Sequence, residues 1–433
     1  MMRYFSALQW PEPGMRKPYY LFALLVFLAA CSVAPLEDQA GRAVSPEVIT
    51  EIRLFDVPPL SALPETAPRP LKGRYVAAAW ADLPGWPADG LDRVWKGVIN
   101  NCRGLMRPVS GALALPARAA PRVWQPVCQQ ALAEGLHKDP AQVRQFLQTH
   151  LRPWRLEGPE GLVTGYYEPL IRASKVRQGD YQWPLYAVPD DLLTVDLGAV
   201  YPELAGKRVR GKLQGRRVVP YDTRAQIEAD PDRQPPVIVW AEDPIEAFFL
   251  QIQGSGQALL PDGTTIRLAY ADHNGRPYVS IGQWLAQQGE MPLAQASMQN
   301  IKAWARRHPE RLGELLSVNP AMVFFQAEGI ADPELGPRGA YGVPLIAQRA
   351  VAADADYVPL GTPLFLVTQQ PGGNGLLQRL VFAQDTGAAI QGNNRIDYFW
   401  GTGDAAGARA GRMKQKGRVW LLWPSAAGEP TAR

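Results

Sequence analysis

The sequence is poor in the residues that most metal sites and many nucleophile sites use. Its 433 residues include only 4 histidines and 3 cysteines. No two of the histidines have the spacing that would present them to zinc from one helix face; they are His137, His150, His273 and His308. The sequence therefore predicts no metal site, and it requires no cofactor.

Motifs of several common enzyme classes are absent as well. No Gly-x-Ser-x-Gly elbow occurs, and Ser255, between Gly254 and Gly256, lacks the spacing of an esterase nucleophile. No P-loop or Gly-x-Gly-x-x-Gly follows a strand pattern, which argues against a nucleotide site. What remains for catalysis is the set of carboxylates.

Charge of either sign is modest, since the formal net charge is only +4. One local basic cluster, Lys207–Val219, has the alternation of a strand with a solvated face, and contact with an anionic polymer is the alternative. No zinc spacing, RNP-like strand or basic helix accompanies this cluster. Nucleic acid is therefore not an expected partner.

A basic and then apolar segment lies near the start of the chain. Arg16 and Lys17 precede an apolar run, Tyr19–Ala30, that is too short to span a bilayer comfortably as a helix. This order is typical of a secretory signal peptide, which we predict over residues 1–30.

The apolar run ends in Leu28-Ala29-Ala30-Cys31, which resembles the lipobox of bacterial lipoproteins, and Ser32 follows it. A chance cysteine after a signal peptide is the alternative. The resemblance implies lipidation of Cys31, a tether over residues 31–72 and a periplasmic protein held at the outer membrane of a Gram-negative cell by lipid.

The other two cysteines leave two interpretations open. An oxidising periplasm permits Cys102 and Cys128 to form a disulfide, but two buried thiols on neighbouring helices fit the sequence equally well.

Hydrophobic periodicity divides the rest of the chain. Spacing between residues 84 and 155 is helical, with Asp139-Pro140 as a helix start, and a second helical interval runs from Met298 to Leu316. The remaining segments are predicted as strands, including both apolar runs of Pro236–Gln257 and a hairpin that turns at Asp262-Gly263. The C-terminal strand candidates are MVFFQ, LFLVT, LLQRLVFAQD, RIDYFW and RVWLLW, which together favour a closed barrel.

The most informative acidic stretch is Asp385-Thr386-Gly387, which matches an aspartic protease loop. That class needs two such loops whose carboxylates share a proton, and this chain has only one. Asp397 and an aromatic run, Tyr398–Trp400, follow closely. Aromatic side chains beside a carboxylic acid are typical of a carbohydrate groove, in which the acid protonates the glycosidic oxygen.

Longer motifs carry a specific resemblance. The stretches AVAADADYVPLGTPLFL, VFAQDTGAAIQG and NRIDYFWG resemble the 3D domain, whose three aspartates correspond here to Asp354, Asp385 and Asp397. The stretches GYYEPLI, FFLQIQGSG, YADHNGRPYVSIG, NPAMVFF and GRVWLLW are similar to the membrane-bound lytic murein transglycosylase A family. All of these motifs lie in one order over residues 161–423.

The resemblance implies a lyase that cuts the β-1,4 bond between N-acetylmuramic acid and N-acetylglucosamine in peptidoglycan. Asp385 would act first as acid on the glycosidic oxygen and then as base on the C6 hydroxyl, which closes onto C1 as a 1,6-anhydro ring. Apolar neighbours such as Val381, Phe382 and Ile390 are expected to raise the pKa of Asp385.

Supporting roles are less specific. Asp397 would orient Asp385 or hold substrate, or accept backbone hydrogen bonds in a turn, and Asp354 would be structural. Glycan-binding candidates are Tyr166, Gln253, Ser255 and Tyr270. Glu168 is a candidate second carboxylate without an assigned role, and Asp404 would bind sugar or cap a helix.

The resemblance also implies an architecture that is mainly β with some helices. A double-psi β-barrel over residues 73–170 and 319–425 would carry an inserted second β-barrel over 171–318, with a groove between them. Expected partners are peptidoglycan glycan strands, the membrane and other cell-wall synthesis enzymes.

Two other functions remain open at this stage. An inverting glycoside hydrolase would need a second carboxylate roughly 6.5–9.5 Å from the acid. A non-catalytic peptidoglycan-binding lipoprotein would need no catalytic acid at all.

Overall fold

A computed structural model describes residues 55–432 except 64, 66–67, 107–116, 198–199, 202–208, 231–232, 331 and 388. The predicted signal peptide, the predicted lipidation at Cys31 and much of the predicted tether lie outside the described residues. Within the described residues, no helix has the length and apolar character needed to cross a membrane.

The α-helices of this part of the chain are α1 (Val94–Met106), α2 (Pro121–Ala133), α3 (Pro140–His150), α4 (Arg224–Ala229), α5 (Pro244–Gln253), α6 (Ile281–Gln287), α7 (Met298–Arg307), α8 (Leu312–Ser317) and α9 (Asp404–Ala410). The strands are β1 (Tyr75–Ala77), β2 (Leu151–Leu156), β3 (Gly161–Glu168), β4 (Leu170–Ser174), β5 (Trp183–Tyr186), β6 (Leu193–Val195), β7 (Val209–Gln214), β8 (Arg217–Pro220), β9 (Val237–Ala241), β10 (Gly256–Leu259), β11 (Thr265–His273), β12 (Val323–Gly329), β13 (Leu335–Arg338), β14 (Pro344–Ile346), β15 (Ala350–Ala353), β16 (Pro363–Gln369), β17 (Leu376–Asp385), β18 (Ile396–Thr402) and β19 (Lys414–Pro424).

Six strands close into a barrel. Their order is β19-β16-β17-β15-β18-β3, and β3 also pairs with β19, which removes both sheet edges. Alternate residues of these strands fill the interior, as Val351, Val381 and Tyr398 do, because side chains alternate between the faces of a strand. The closed barrel that the C-terminal strand pattern predicts is present, except that the candidate MVFFQ forms β12, which lies outside it. Strand β3 is the one barrel strand from before the inserted segment.

Helices α1 to α3 cover part of the outer face of this barrel. Gly97 of α1 lies directly against Phe382 of β17, where a Cβ atom would approach the ring to 2.3 Å. The carboxylate of Asp139 accepts a hydrogen bond from the backbone N–H of Gln142 at 2.9 Å, so the helix start predicted there is confirmed. Cys102 of α1 and Cys128 of α2 form a disulfide. Of the two interpretations of these cysteines, the structure shows the pair.

A second sheet contains six of the strands between β3 and β13, and β6, β7 and β8 form a separate small sheet. The order of the six strands is β12-β11-β10-β4-β9-β5, and a single bridge between Ala187 and Phe325 connects the two edges of their sheet. Helices α5 to α8 build an apolar cluster beside it around Phe248 and Trp304. The β10–β11 hairpin turns at Asp262-Gly263, as the sequence predicts.

One predicted strand is wrong. The second apolar run of Pro236–Gln257 forms α5, because Asp243 caps the helix by accepting hydrogen bonds from Ile245 and Glu246 and Pro244 occupies the first helical turn. The helix then ends at Gly254, which has the left-handed backbone conformation with φ of 81°.

A buried ion pair joins the barrel to the second sheet. Glu168, at the end of β3, contacts the guanidinium of Arg267 on β11 at 2.6 Å and accepts hydrogen bonds from Gln257 and Thr402. The fold class predicted from the sequence is confirmed, since a mainly β chain carries a barrel and an inserted second sheet. The domain limits remain a prediction; β12 belongs to the second sheet although it follows the limit at 318.

Candidate active site

Two aspartates lie on the outer face of the barrel, one on each side of the same alanine. Ala352 of β15 is the register partner of Asp385 on β17 and of Asp397 on β18. Paired residues on adjacent strands point to the same side, so the two carboxylates flank Ala352. Strands lie about 4.8 Å apart, which places the two aspartate Cα atoms roughly 10 Å from each other.

A β-bulge brings Asp385 to this face. Val351 pairs with Ala383, but Ala352 pairs with Asp385, so Gln384 is an extra residue in β17. Without the bulge, strict alternation after Val381 and Ala383 would direct Asp385 into the barrel interior. Bulges re-aim side chains in this way, and here the re-aimed side chain is the predicted catalytic acid.

The two carboxylate oxygens of Asp385 have different partners. Oδ1 accepts hydrogen bonds from the backbone N–H groups of Ala340 at 2.8 Å and Thr386 at 2.9 Å. Oδ2 accepts one from the hydroxyl of Tyr166 at 3.0 Å. Although part of the side chain stays accessible, loss of hydration raises the pKa of Asp385, and these three hydrogen bonds oppose that rise.

Asp397 is the second acid of the site. Its Oδ1 accepts a hydrogen bond at 2.6 Å from the hydroxyl of Thr164, which in turn accepts one from Arg395 at 2.9 Å. Burial raises the pKa of Asp397 to about 6, and the nearby charge of Asp385 contributes to that rise. The two aspartates are therefore electrostatically coupled, and protonation of one favours ionisation of the other.

Tyr166 connects the site to β3. Its ring packs on Phe399 with 5.2 Å between ring centroids, which fixes the position of the hydroxyl beside Asp385. Burial and then the charges of Asp385 and Asp397 raise the pKa of Tyr166 well above its ordinary value. The phenol therefore remains a neutral hydrogen-bond donor at any pH near neutrality.

Three residues of the site were missed by the sequence interpretation. Thr164 bonds to Asp397, Ala340 bonds to Asp385, and Gly339 allows the backbone before Ala340 to approach. A Cβ atom at Gly339 would lie 2.4 Å from the carbonyl oxygen of Gln384 and 3.1 Å from the Cβ of Asp385. The alternation of β3 and the glycine of the stretch RGAYG are the only sequence signals that these residues carry.

The other acidic candidates lie in different settings. Asp354 accepts hydrogen bonds from the backbone N–H groups of Asp356 and Gly392 at 3.0 Å and 2.7 Å, which connects two loops. Asp404 is exposed and is the first residue of α9, whose N-cap is Gly403. The cap predicted at Asp404 is therefore displaced by one residue.

The candidate glycan-binding residues of the insert lie outside the barrel wall. The side-chain oxygen of Gln253, at the end of α5, accepts a hydrogen bond from the backbone N–H of Tyr167 at 3.2 Å. Ser255 lies in the turn before β10 and is partly exposed, whereas Tyr270 on β11 is exposed. The bond from Tyr167 connects Gln253 to β3, the strand of Tyr166.

Two family models match this chain. Residues 162–326 match the family description "MltA specific insert domain". Residues 349–423 match the 3D domain. The two aspartates of the site fall in the second match, and Tyr166 falls in the first.

Named relatives match over most of their length. The membrane-bound lytic murein transglycosylase A of Escherichia coli (strain K12) is 33% identical over 290 residues, which cover 64% of this chain and 71% of the relative. The protein of the same name from Vibrio cholerae is 30% identical over 314 residues, covering 70% and 76% of the two chains.

Solved structures show the same fold. MltA from Neisseria gonorrhoeae has 34% identity and a TM-score of 0.70 over 88% of this chain and 100% of its own. MltA from E. coli with bound chitohexaose has 26% identity and a TM-score of 0.57 over 83% and 99%. The chain belongs to the membrane-bound lytic murein transglycosylase A (MltA) family and carries its 3D domain.

Proposed function

We propose that Asp385 is both the acid and the base of this lytic transglycosylase, which cleaves the β-1,4 bond between N-acetylmuramic acid and N-acetylglucosamine in peptidoglycan. The observation that carries the proposal is the environment of one carboxyl group. Asp385 is partly accessible, has a raised pKa, and has one oxygen engaged with backbone and the other with Tyr166. Bound chitohexaose in the E. coli MltA structure supports a sugar chain as the ligand.

The hydrogen bonds decide which oxygen carries the reacting proton. Oδ1 accepts two backbone N–H groups, so a proton on Oδ1 would disrupt one of those bonds. Oδ2 has only the Tyr166 hydroxyl, which can rotate and accept instead of donate. The proton therefore resides on Oδ2 and passes to the glycosidic oxygen as the C1–O bond breaks.

The same oxygen then serves the second step. Asp385, now ionised, removes the proton of the C6 hydroxyl of the muramic acid residue, and the C6 oxygen bonds to C1. The product is a 1,6-anhydro ring, Asp385 is again protonated, and no water is consumed. Tyr166 and the two backbone N–H groups stabilise the carboxylate between the two steps.

Two other carboxylates that could activate a water molecule, Glu168 and Asp397, are engaged with neighbouring side chains. Glu168 is fully buried and paired with Arg267, so it faces no substrate. Asp397 is bonded to Thr164, and its pKa of about 6 reflects burial beside a second acid. We assign Asp397 to positioning and to the electrostatics of Asp385, and Asp354 to loop structure.

Membrane association accompanies the family, whose E. coli and V. cholerae members are named as membrane-bound. The finer proposal is that lipid on Cys31 supplies it from the periplasmic side of the outer membrane. The basic, apolar and lipobox-like order of residues 16–31 supports this proposal.

Digestion of purified sacculi tests the catalytic assignment. The Asp385→Asn variant should lose at least about 100-fold in rate, because one positioned acid–base group contributes that much or more. The matched control is Asp180→Asn, which makes the same change at an exposed aspartate before β5. Digestion by the Asp385→Asn variant at the rate of the control would refute the assignment.

A further inference from the structure

The small sheet of β6, β7 and β8 has an apolar face and a polar face. The register places Leu193, Val195, Val209, Gly211, Leu213, Val218 and Pro220 on one side. The other side carries Thr194, Arg210, Lys212, Gln214, Arg217 and Val219. We refer to the first side, which contains no polar side chain, as the β6–β8 face.

The polar side of this sheet is the one that packs on the protein. Arg210 is buried and contacts Asp272 of β11 at 2.8 Å. Lys212 pairs with Asp222 and lies over the ring of Tyr221. An antiparallel sheet with one solvated face ordinarily packs its apolar side inward and exposes its polar side. Here the orientation is reversed, and among the described residues none covers the exposed apolar side chains Leu213, Val218 and Val209.

The β6–β8 face is exposed. Leu213 is 64% exposed, Val218 51% and Val209 45%. Leu197, Val200 and Tyr201, which follow β6, are exposed as well. The three side chains of the face and the three after β6 together are six of the sixteen exposed large hydrophobic side chains among the described residues. Concentration of exposed apolar surface in one place marks an interaction site.

Charge around the face identifies the kind of ligand. Residues 209–221 include four lysines and arginines and no acidic residue, and two of the four, Arg210 and Lys212, pair with aspartates. Arg216 and Arg217 are exposed at the turn between β7 and β8, beside Leu213 and Val218. Apolar side chains bordered by cations match the interface of a bilayer, where acyl chains lie below anionic headgroups. A second copy of the chain would bring like charges together.

We propose that the β6–β8 face docks on the surface of a membrane that contains anionic phospholipid. Leu213, Val218 and Val209 enter the boundary between headgroups and acyl chains, while Arg216, in the turn at the end of the face, contacts phosphate groups. This contact is separate from lipidation at Cys31, and it would orient the insert relative to the bilayer. The catalytic aspartates take no part in it.

Site-specific fluorescence tests the proposal in the full chain. Leu213→Cys and Leu376→Cys are each made with Cys31→Ser, so that beside the Cys102–Cys128 disulfide the introduced cysteine is the only free thiol. Leu376 is the matched control, because it is 57% exposed and also lies beside a hairpin turn, between β16 and β17. Each thiol receives a polarity-sensitive nitrobenzoxadiazole label, and equal melting temperatures verify that both chains are folded.

On vesicles containing phosphatidylglycerol, emission from position 213 should become brighter and shift to shorter wavelength, while emission from position 376 should not. The shift should be smaller on phosphatidylcholine vesicles and in 1 M salt, where the Debye length is only about 3 Å. Equal responses at the two positions, or equal responses on the two lipids, overturn the proposal. A shift at position 213 that grows with protein concentration without vesicles overturns it in favour of a second copy.

Discussion

The hydroxyl of Tyr166 donates a hydrogen bond to Oδ2 of Asp385 across 3.0 Å, although the two residues are 219 positions apart in the chain. The whole inserted segment lies between them in sequence. The strand order of the barrel brings them together, because β3 pairs with β18 and β18 pairs with β15, the neighbour of β17. Asp385 can therefore be identified from a local motif, whereas its contact with Tyr166 depends on the fold.

Removing this hydroxyl should weaken the acid step, in which Asp385 becomes a carboxylate. In the Tyr166→Phe variant the carboxylate form of Asp385 loses one stabilising hydrogen bond, so its pKa rises further. We expect kcat to fall roughly 10- to 100-fold, since a hydrogen bond to a charged group contributes about 1.5–3 kcal/mol. Loss of activity at alkaline pH, where Asp385 loses its proton, should shift to higher pH. The measurement is the pH profile of sacculus digestion.

A second tyrosine provides the control for that variant. Tyr398 is buried in the barrel, and its hydroxyl donates to the carbonyl oxygen of Gln348 at 2.8 Å. Tyr398→Phe should lower stability without moving the pH profile. Identical pH profiles for wild type and Tyr166→Phe would contradict the role given to Tyr166.

Asp397 should make the free energy of unfolding depend on pH between its pKa in the unfolded chain and its pKa in the folded chain. Its pKa is about 6 in the folded chain against 3.8 as the ordinary value, so the unfolded chain loses this proton first as pH rises. The wild type consequently loses stability from about pH 4 to pH 6 relative to Asp397→Asn, whose amide does not titrate.

The variant should therefore be more stable at pH 7 by about 1–3 kcal/mol, with little or no advantage at pH 4. Urea unfolding at the two pH values measures the difference, and two-state behaviour is checked with a second probe. A gain of equal size at both pH values would show that the effect does not come from ionisation of Asp397.

Gly339 should be essential for the position of Asp385 and less important for folding. In Gly339→Ala the new methyl group would meet the carbonyl oxygen of Gln384 at 2.4 Å, so the Arg338–Tyr341 segment must shift away from β17. That shift lengthens the bond from the N–H of Ala340 to Asp385, and we expect about a 10-fold or larger loss of kcat. Gly90→Ala is the control, since a Cβ atom there has no neighbour within 4 Å. Full activity in Gly339→Ala would exclude this backbone contact from the mechanism.

The disulfide should contribute substantially to stability. Cys102 and Cys128 are separated by 26 positions, and closing a loop of that size contributes roughly 3–4 kcal/mol through the unfolded state. Reductant should lower the midpoint of urea unfolding of the wild type and leave that of a Cys102→Ala, Cys128→Ala double variant unchanged. A wild type that does not respond to reductant would indicate that the bond adds no stability.

Sequence patterns predict those parts of the fold whose signals are local. The strand alternation around Val381, the helix cap at Asp139 and the hairpin turn at Asp262-Gly263 all lie within a few residues of the structure that they specify. The second run of Pro236–Gln257 misled because a short apolar run fits a buried strand as well as a helix, and only Asp243-Pro244 distinguishes them.

The site could be predicted only in part. Asp385 and Asp397 follow from motif resemblance, but their shared neighbour Ala352 depends on a bulge at Gln384 that has no local signature. Ala340 acts through its backbone N–H, which every residue except proline possesses, so its identity carries no information. Likewise, the spacing of Cys102 and Cys128 leaves their pairing open until two helices are placed side by side.

The most direct test of the account is mass analysis of the fragments that the wild type releases from purified peptidoglycan in water labelled with heavy oxygen. If Asp385 works alone as acid and then base, the muramic acid ends carry 1,6-anhydro rings and no heavy oxygen, because the C6 hydroxyl replaces water. Reducing ends that contain heavy oxygen would contradict the account and would require a second carboxylate to activate water.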